Sequence, residues 1–241
     1  MTRYIPNALT LLNLFCGCIA AIYAVNNNFV TAAFFVFLGI FFDFFDGFAA
    51  RKLNVQSELG VQLDSLADMV TSGLVPGIIM YKLLELVGSD WGEVDLSGNF
   101  ELLAIPLIGL TITLASAYRL AKFNIDTEQQ TYFKGLPTPA NALLILSLPL
   151  IIEFQDSDII NAVILNKWFL IGLTLLSCYL LNSNIKLFAL KFKSWDFISN
   201  ATRYIFIILC IVLLAVIQFA AIPIIILLYI IMSILDNLTS K

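Results

Sequence analysis

The stretch FVTAAFFVFLGIFFDFFDGFAA, residues 29–50, decides the fold. It matches the roughly 20 apolar residues that carry an α-helix across a bilayer, and it holds no charge before Asp43. Its apolar residues run on without alternation, which excludes a strand of a transmembrane barrel. The rest of the chain reads the same way. Of 241 residues, 60% are hydrophobic and 12% are charged, and the mean hydropathy is +0.94. A water-soluble domain of this size has too small an interior to hide so much apolar surface. Backbone polar groups in lipid must bond within the chain, so the expected solution is helical. Eight spans are predicted, over about 9–25, 29–50, 60–86, 101–123, 138–153, 166–183, 203–217 and 220–235. The expected fold is an all-α polytopic membrane protein, a bundle of about eight transmembrane helices, forming one membrane-embedded domain over 1–241.

The basic residues give the orientation. With the amino terminus in the cytoplasm, eleven of the thirteen Lys and Arg fall at inner loops or inner helix ends, and only Lys82 and Lys167 fall outside. Both termini are then expected in the cytoplasm. A net charge of −4 argues against nucleic acid as a partner. The chain has no histidine, so acid–base and metal chemistry would fall mainly to carboxylates. Cys16, Cys18, Cys178 and Cys210 lie in apolar runs without a metal-binding spacing and read as packing residues. Between Ser183 and Arg203, the residues Ile185, Phe188, Phe192 and Trp195 recur at helical spacing, which predicts a helix lying in the inner interface.

Against this greasy background, the end of the second span stands out. Asp43 and Asp46 lie three apart on one helix face, and Gly47 and Ala50 share that face. A carboxylate at the centre of a membrane helix costs at least ~2.5–3.5 kcal/mol. The third span opens with a similar stripe: Gly60, Asp64 and Asp68 follow at intervals of four. A short loop carrying Arg51, Lys52 and Ser57 joins the two helices, so their acidic faces are expected to confront each other near the cytoplasmic surface. Four clustered carboxylates stay ionised only when cations neutralise them. Mg²⁺ or Mn²⁺ suits oxygen ligands and leaves room for phosphate oxygens. The plainer alternative is a set of helix-end carboxylates paired with Arg51 and Lys52, which leaves four acids short of positive charge.

Asp43, Asp46, Gly47, Ala50, Arg51, Gly60, Asp64 and Asp68 occur at the spacing that resembles the signature of the CDP-alcohol phosphotransferases. All eight fixed positions are present, within 26 residues. The resemblance implies a multi-pass enzyme of the bacterial cytoplasmic membrane, acting as a homodimer on a CDP-linked lipid and releasing CMP at its cytoplasmic side. It implies that Asp43, Asp46, Asp64 and Asp68 hold divalent metal, two ions of Mg²⁺ or Mn²⁺, and that Asp68 is also the catalytic base. Asn7, Thr10, Gly47, Ala50, Arg51, Ser57 and Gly60 would bind CDP-diacylglycerol. Three softer stretches, PNALTLLNLFCG (6–17), SAYRLAKFN (116–124) and KGLPTPANA (134–142), resemble the branch of that family whose acceptor is L-serine. Arg119, Lys122, Asn124 and Lys134 are then candidate acceptor contacts, since basic residues could grip the serine carboxylate. Arg119 and Lys122 read equally well as markers of the membrane boundary.

Two other readings remain open on the sequence. One keeps the chemistry and changes the acceptor to glycerol 3-phosphate, an inositol compound or an aminoalcohol. The other is a divalent-cation transporter, since intramembrane carboxylates often mark ion paths. Clustering of the acids toward one surface, without a pair of broken-helix repeats, speaks against the transporter.

Overall fold

The computed structural model describes residues 4–88, 105–126, 132–155, 157–188 and 201–239. Helix α1 (Ile5–Val25) turns through Asn26–Asn28 into α2 (Phe29–Lys52), with Asn27 at a φ of 59°. Asparagine tolerates that left-handed turn better than other side chains do. The two helices pack through Ala20, Ala24, Ala32 and Ala33, all buried. Small residues allow this close approach where lipid supplies no hydrophobic drive. At its other end α2 closes with a Schellman motif: Val55 N–H donates to Ala50 O at 3.0 Å, and Asn54 takes a φ of 53°. Arg51 and Lys52 occupy the last turn, where cations complement the helix dipole. Ser57 then caps α3 (Glu58–Asp68), accepting from Gly60 N–H at 3.1 Å.

Helix α3 runs through a π-helical turn (Met69–Leu74) into α4 (Val75–Gly88) as one continuous helix of 31 residues. At 1.5 Å per residue that is about 46 Å, longer than the ~30 Å hydrocarbon core, so the polar first turns can stand clear of the lipid. The π-turn is where three helices meet. A Cβ on Gly17 of α1 would fall 3.0 Å from the Thr71 backbone nitrogen, and one on Gly39 of α2 would fall 2.7 Å from Thr71 Cγ2. Thr71 donates its hydroxyl to Asn13 O at 3.1 Å, and Thr113 donates to Gly73 O at 3.1 Å, satisfying a carbonyl near the widened turn.

A 3₁₀ turn (Ile108–Leu110) leads into α5 (Thr111–Ile125), and α6 (Thr138–Phe154) follows. Next come α7 (Asp158–Ile164) and α8 (Lys167–Asn182), bent from each other by 61°. The last two helices are α9 (Ala201–Ile217) and α10 (Ala221–Thr239). They fold back on each other at the 3₁₀ turn Gln218–Ala220, where Gln218 has a φ of 47°. The ring contact of Phe206 with Tyr229, 5.6 Å between centroids, requires that reversal. The core collects Val36, Ile79, Met80, Ile112, Ile145 and Leu170 from five helices, while Phe15, Phe34, Phe44, Leu114, Trp168 and Ile211 point outward. Buried Asn13, Ser72, Ser116, Asn141 and Ser177 lie inside. An apolar exterior around a partly polar interior fits a lipid solvent.

Among the described residues the chain is all-α apart from one two-stranded antiparallel sheet, and it is built as a multi-pass membrane protein. Four helical stretches among the described residues are long and apolar enough to cross a membrane, five if the bent α7–α8 pair counts as one span. One of the four, Arg203–Leu238, runs through the reversal at Gln218–Ala220 and so contains both α9 and α10. Length alone does not reach the eight spans expected: α6 and α8 have 17 and 16 residues, and the predicted span 101–123 begins outside the described residues. The interfacial helix predicted from Ser183 is corrected at its start. Lys186–Phe188 form β2, pairing with β1 (Tyr132–Lys134) in the register Phe133↔Leu187. Tyr229 OH and Asn237 Nδ2 donate to the Phe188 and Lys186 carbonyls at 2.9 and 2.6 Å. These long-range bonds override the local helical spacing of Ile185 and Phe188. Residues 189–200 of that segment lie outside the described residues.

Candidate active site

The Schellman turn and the Ser57 cap bring the end of α2 beside the start of α3, so the two acidic faces meet. One carboxylate oxygen each from Asp43, Asp46 and Asp64 lies within 4.8 Å of the others. Asp46 is buried and the other two are half-buried. Its Oδ2 accepts from the Thr10 hydroxyl at 2.5 Å, which ties α1 to the cluster. Asp64 Oδ1 is buried and has no hydrogen-bond partner. Among the described residues none of the four aspartates forms a close ion pair with Arg51 or Lys52, and Arg51 acts on Asp46 only electrostatically, from beyond ion-pair distance. Lys52 instead lies over the Phe48 ring, 5.6 Å from its centroid. Three converging carboxylates with an uncommitted buried oxygen fit a hard divalent cation.

Asp68, one turn beyond Asp64, stands outside that trio but within electrostatic reach of Asp43 and Asp64. Its Oδ1 accepts from Asn13 Nδ2 at 3.3 Å. Asn13 is fully buried. Sequence reasoning passed over it, although an asparagine inside LLNLF was the available signal. The bond to a charged acceptor contributes about 1.5–3 kcal/mol. Asn13→Leu, similar in volume, is therefore expected to lower kcat by roughly ten- to a hundredfold with little change in KM for either substrate, as steady-state kinetics would register.

A cavity of about 540 Å³ opens beside the cluster. Asn7, Thr10, Gly47, Ala50, Arg51, Ser57 and Gly60 all line it, together with Asp46 and Asp64. The Arg51 guanidinium arches over Gly47, where a Cβ would meet Nη1 at 3.4 Å. At Gly60 a Cβ would crowd Ser57 Oγ at 3.2 Å and Asn7 Oδ1 at 3.4 Å. Bare backbone at both points keeps the floor of the cavity open. The size suits a small-molecule ligand with a charged group at the arginine and carboxylate end.

The four proposed acceptor contacts divide. Arg119, Lys122 and Lys134 line a second, far smaller cavity between α5, β1 and the end of α8, of about 10 Å³, room for about one water. Arg119 is 8% exposed, its Nε lacks a partner, and its guanidinium interacts electrostatically with Asp68. Lys134 is bonded to Asp126 at 3.2 Å. Asn124 is not among the residues lining this cavity and is engaged with α3, accepting from Ser65 Oγ at 3.0 Å and lying 3.5 Å from Gln62 Oε1.

Comparison with known proteins gives a consistent picture. The sequence profile of the CDP-alcohol phosphatidyltransferases matches residues 3–179. The CDP-diacylglycerol–serine O-phosphatidyltransferase of Bacillus subtilis is 35% identical over 165 residues, covering 67% of this chain and 81% of the relative. The enzyme of that name in Methanocaldococcus jannaschii is 31% identical over 173 residues, covering 72% of this chain and 71% of its own length. The one in Helicobacter pylori is 33% identical over 143 residues, covering 58% of this chain and about half of its own length, 55%.

Proposed function

We propose that this chain, which belongs to the CDP-alcohol phosphatidyltransferase family, transfers the phosphatidyl group of CDP-diacylglycerol to L-serine, giving phosphatidylserine and CMP. The observation that carries the reading is the convergence of Asp43, Asp46 and Asp64 beside a cavity walled by Arg51, with Asp68 next to a separate basic pocket. The names of the relatives supply the substrates.

The residues divide the work. The nucleotide end of the donor lies in the larger cavity, its pyrophosphate facing Arg51, a bidentate donor for phosphate oxygens. Gly47 and Gly60 let it rest against backbone. Asp43, Asp46, Asp64 and Asp68 hold divalent metal, two ions of Mg²⁺ or Mn²⁺, which when bound neutralise the pyrophosphate and the departing CMP. The serine carboxylate sits among Arg119, Lys122 and Lys134. Asp68 takes the proton of the serine hydroxyl. The serine oxygen bonds to the phosphorus that bears diacylglycerol, and the bond from that phosphorus to the CMP oxygen breaks, CMP keeping the electron pair. Thr10 and Asn13 keep Asp46 and Asp68 in place from α1.

We place this site at the cytoplasmic mouth of an eight-span homodimeric protein, with both termini inside. The charge asymmetry of the loops supports the orientation, and the family likeness supports the dimer. Purified protein in nanodiscs, given CDP-diacylglycerol, Mg²⁺ or Mn²⁺ and one acceptor at a time, is expected to release CMP with L-serine. Release with glycerol 3-phosphate and none with serine would overturn the assignment.

A further inference from the structure

Arg119 and Lys122, with Lys134 held by Asp126, surround a cavity that has room for about one water, so an acceptor enters only as the lysine side chains swing aside. That basic lining would then welcome any anionic acceptor, a dianionic phosphate ester included. Choosing an amino acid needs a group that answers its ammonium. Asn182, at the end of α8, lines the same cavity as Arg119. Its Nδ2 is committed to two carbonyl oxygens, Ala115 O at 3.2 Å and Cys178 O at 3.3 Å. That fixes the sense of the amide, because a flip would turn Oδ1 against both carbonyls. Oδ1 is thus the end left over, and it is buried and meets no donor. Such an orphaned acceptor costs stability unless a water, for which the cavity has room, or a ligand that displaces it supplies the missing hydrogen.

We infer that Asn182 is a specificity-determining residue, whose Oδ1 accepts a hydrogen bond from the α-ammonium of the acceptor while Arg119 and its neighbours take the carboxylate. The inference rests on serine being the acceptor. It explains how a basic pocket selects a zwitterion, since a site built to bond an N–H discriminates strongly against an analogue lacking it. Ser183 Oγ, also lining the cavity, donates to Leu180 O at 3.1 Å and helps to shape that end of α8.

The test compares two variants that lose the same Nδ2 bonds. Asn182→Leu removes the acceptor oxygen, and Asn182→Asp keeps one. Full-length protein in nanodiscs is assayed for serine KM, and for inhibition by 3-hydroxypropanoate, which is serine without its amino group. In Asn182→Leu, serine KM is expected to rise about ten- to a hundredfold, while the inhibition constant of 3-hydroxypropanoate and the KM for CDP-diacylglycerol stay within about twofold. Asn182→Asp is expected to keep serine KM near the parent value. An equal loss in both variants would assign the side chain to holding α8 and overturn the inference, as would an unchanged serine KM in Asn182→Leu. A parent protein that uses glycerol 3-phosphate and not serine would overturn the acceptor reading itself, and this inference with it.

Discussion

Asp68→Asn is expected to reduce turnover by about 10²–10⁴-fold, the range that a positioned general base contributes. The change keeps the side chain's size and its bond to Asn13, 3.3 Å away in the parent, so the fold should survive. It removes an oxygen able to take a proton, together with one of the four carboxylates proposed to hold metal. Asp68 lies on α3 just before the π-turn that Thr71 locks against α1 and α2, so its position is set by packing as well as by hydrogen bonding. Both kcat and kcat/KM should fall together, because the lost interaction belongs to the transition state. An unfolding temperature close to the parent's, measured on the purified variant, separates this loss from misfolding. Full activity in Asp68→Asn would remove it as the base.

Asp46→Ala is expected to lower turnover about a thousandfold or more, equivalent to losing several kcal/mol of charge stabilisation. Asp46 is the buried member of the trio and the acceptor for Thr10. Without it, Asp43 and Asp64 are left with too few oxygens to hold a cation firmly. A second readout needs no turnover. Metal at a hundred times its Kd should stabilise the parent by about 2.7 kcal/mol and leave Asp46→Ala almost unmoved in thermal unfolding. In EDTA the variant loses a repelling charge and one hydrogen bond, two changes of opposite sign.

The aspartates were legible in the sequence because helical periodicity is strict. Spacings of three and four put Asp43 with Asp46 and Asp64 with Asp68, and a short loop with good caps left the two faces little choice but to meet. The residues around the larger cavity were legible only through resemblance, since nothing in the spacing of Asn7 or Ser57 demands a pocket. Asn13 and Asn182 were harder. Each is a single amide in an apolar helix, and its meaning depends on partners 55 and 67 residues away, Asp68 and Ala115. The strand at Lys186–Phe188 was misread for a similar reason. Three residues carry no useful period, and their pairing with Tyr132–Lys134 is decided by chain returning from far away. Span counting by hydropathy also found α9 and α10 as separate helices, but it had no means of seeing the 61° bend between α7 and α8.

Asp43, Asp46 and Asp64 are expected to hold divalent metal together, against the pyrophosphate of a nucleotide-linked lipid. Mn²⁺ titration of the purified protein, followed by electron paramagnetic resonance with and without CDP-diacylglycerol, reads this directly. Saturable binding that tightens with the donor and disappears in Asp46→Ala is the expected result. Absence of saturable binding, or binding that Asp46→Ala leaves unchanged, would contradict it.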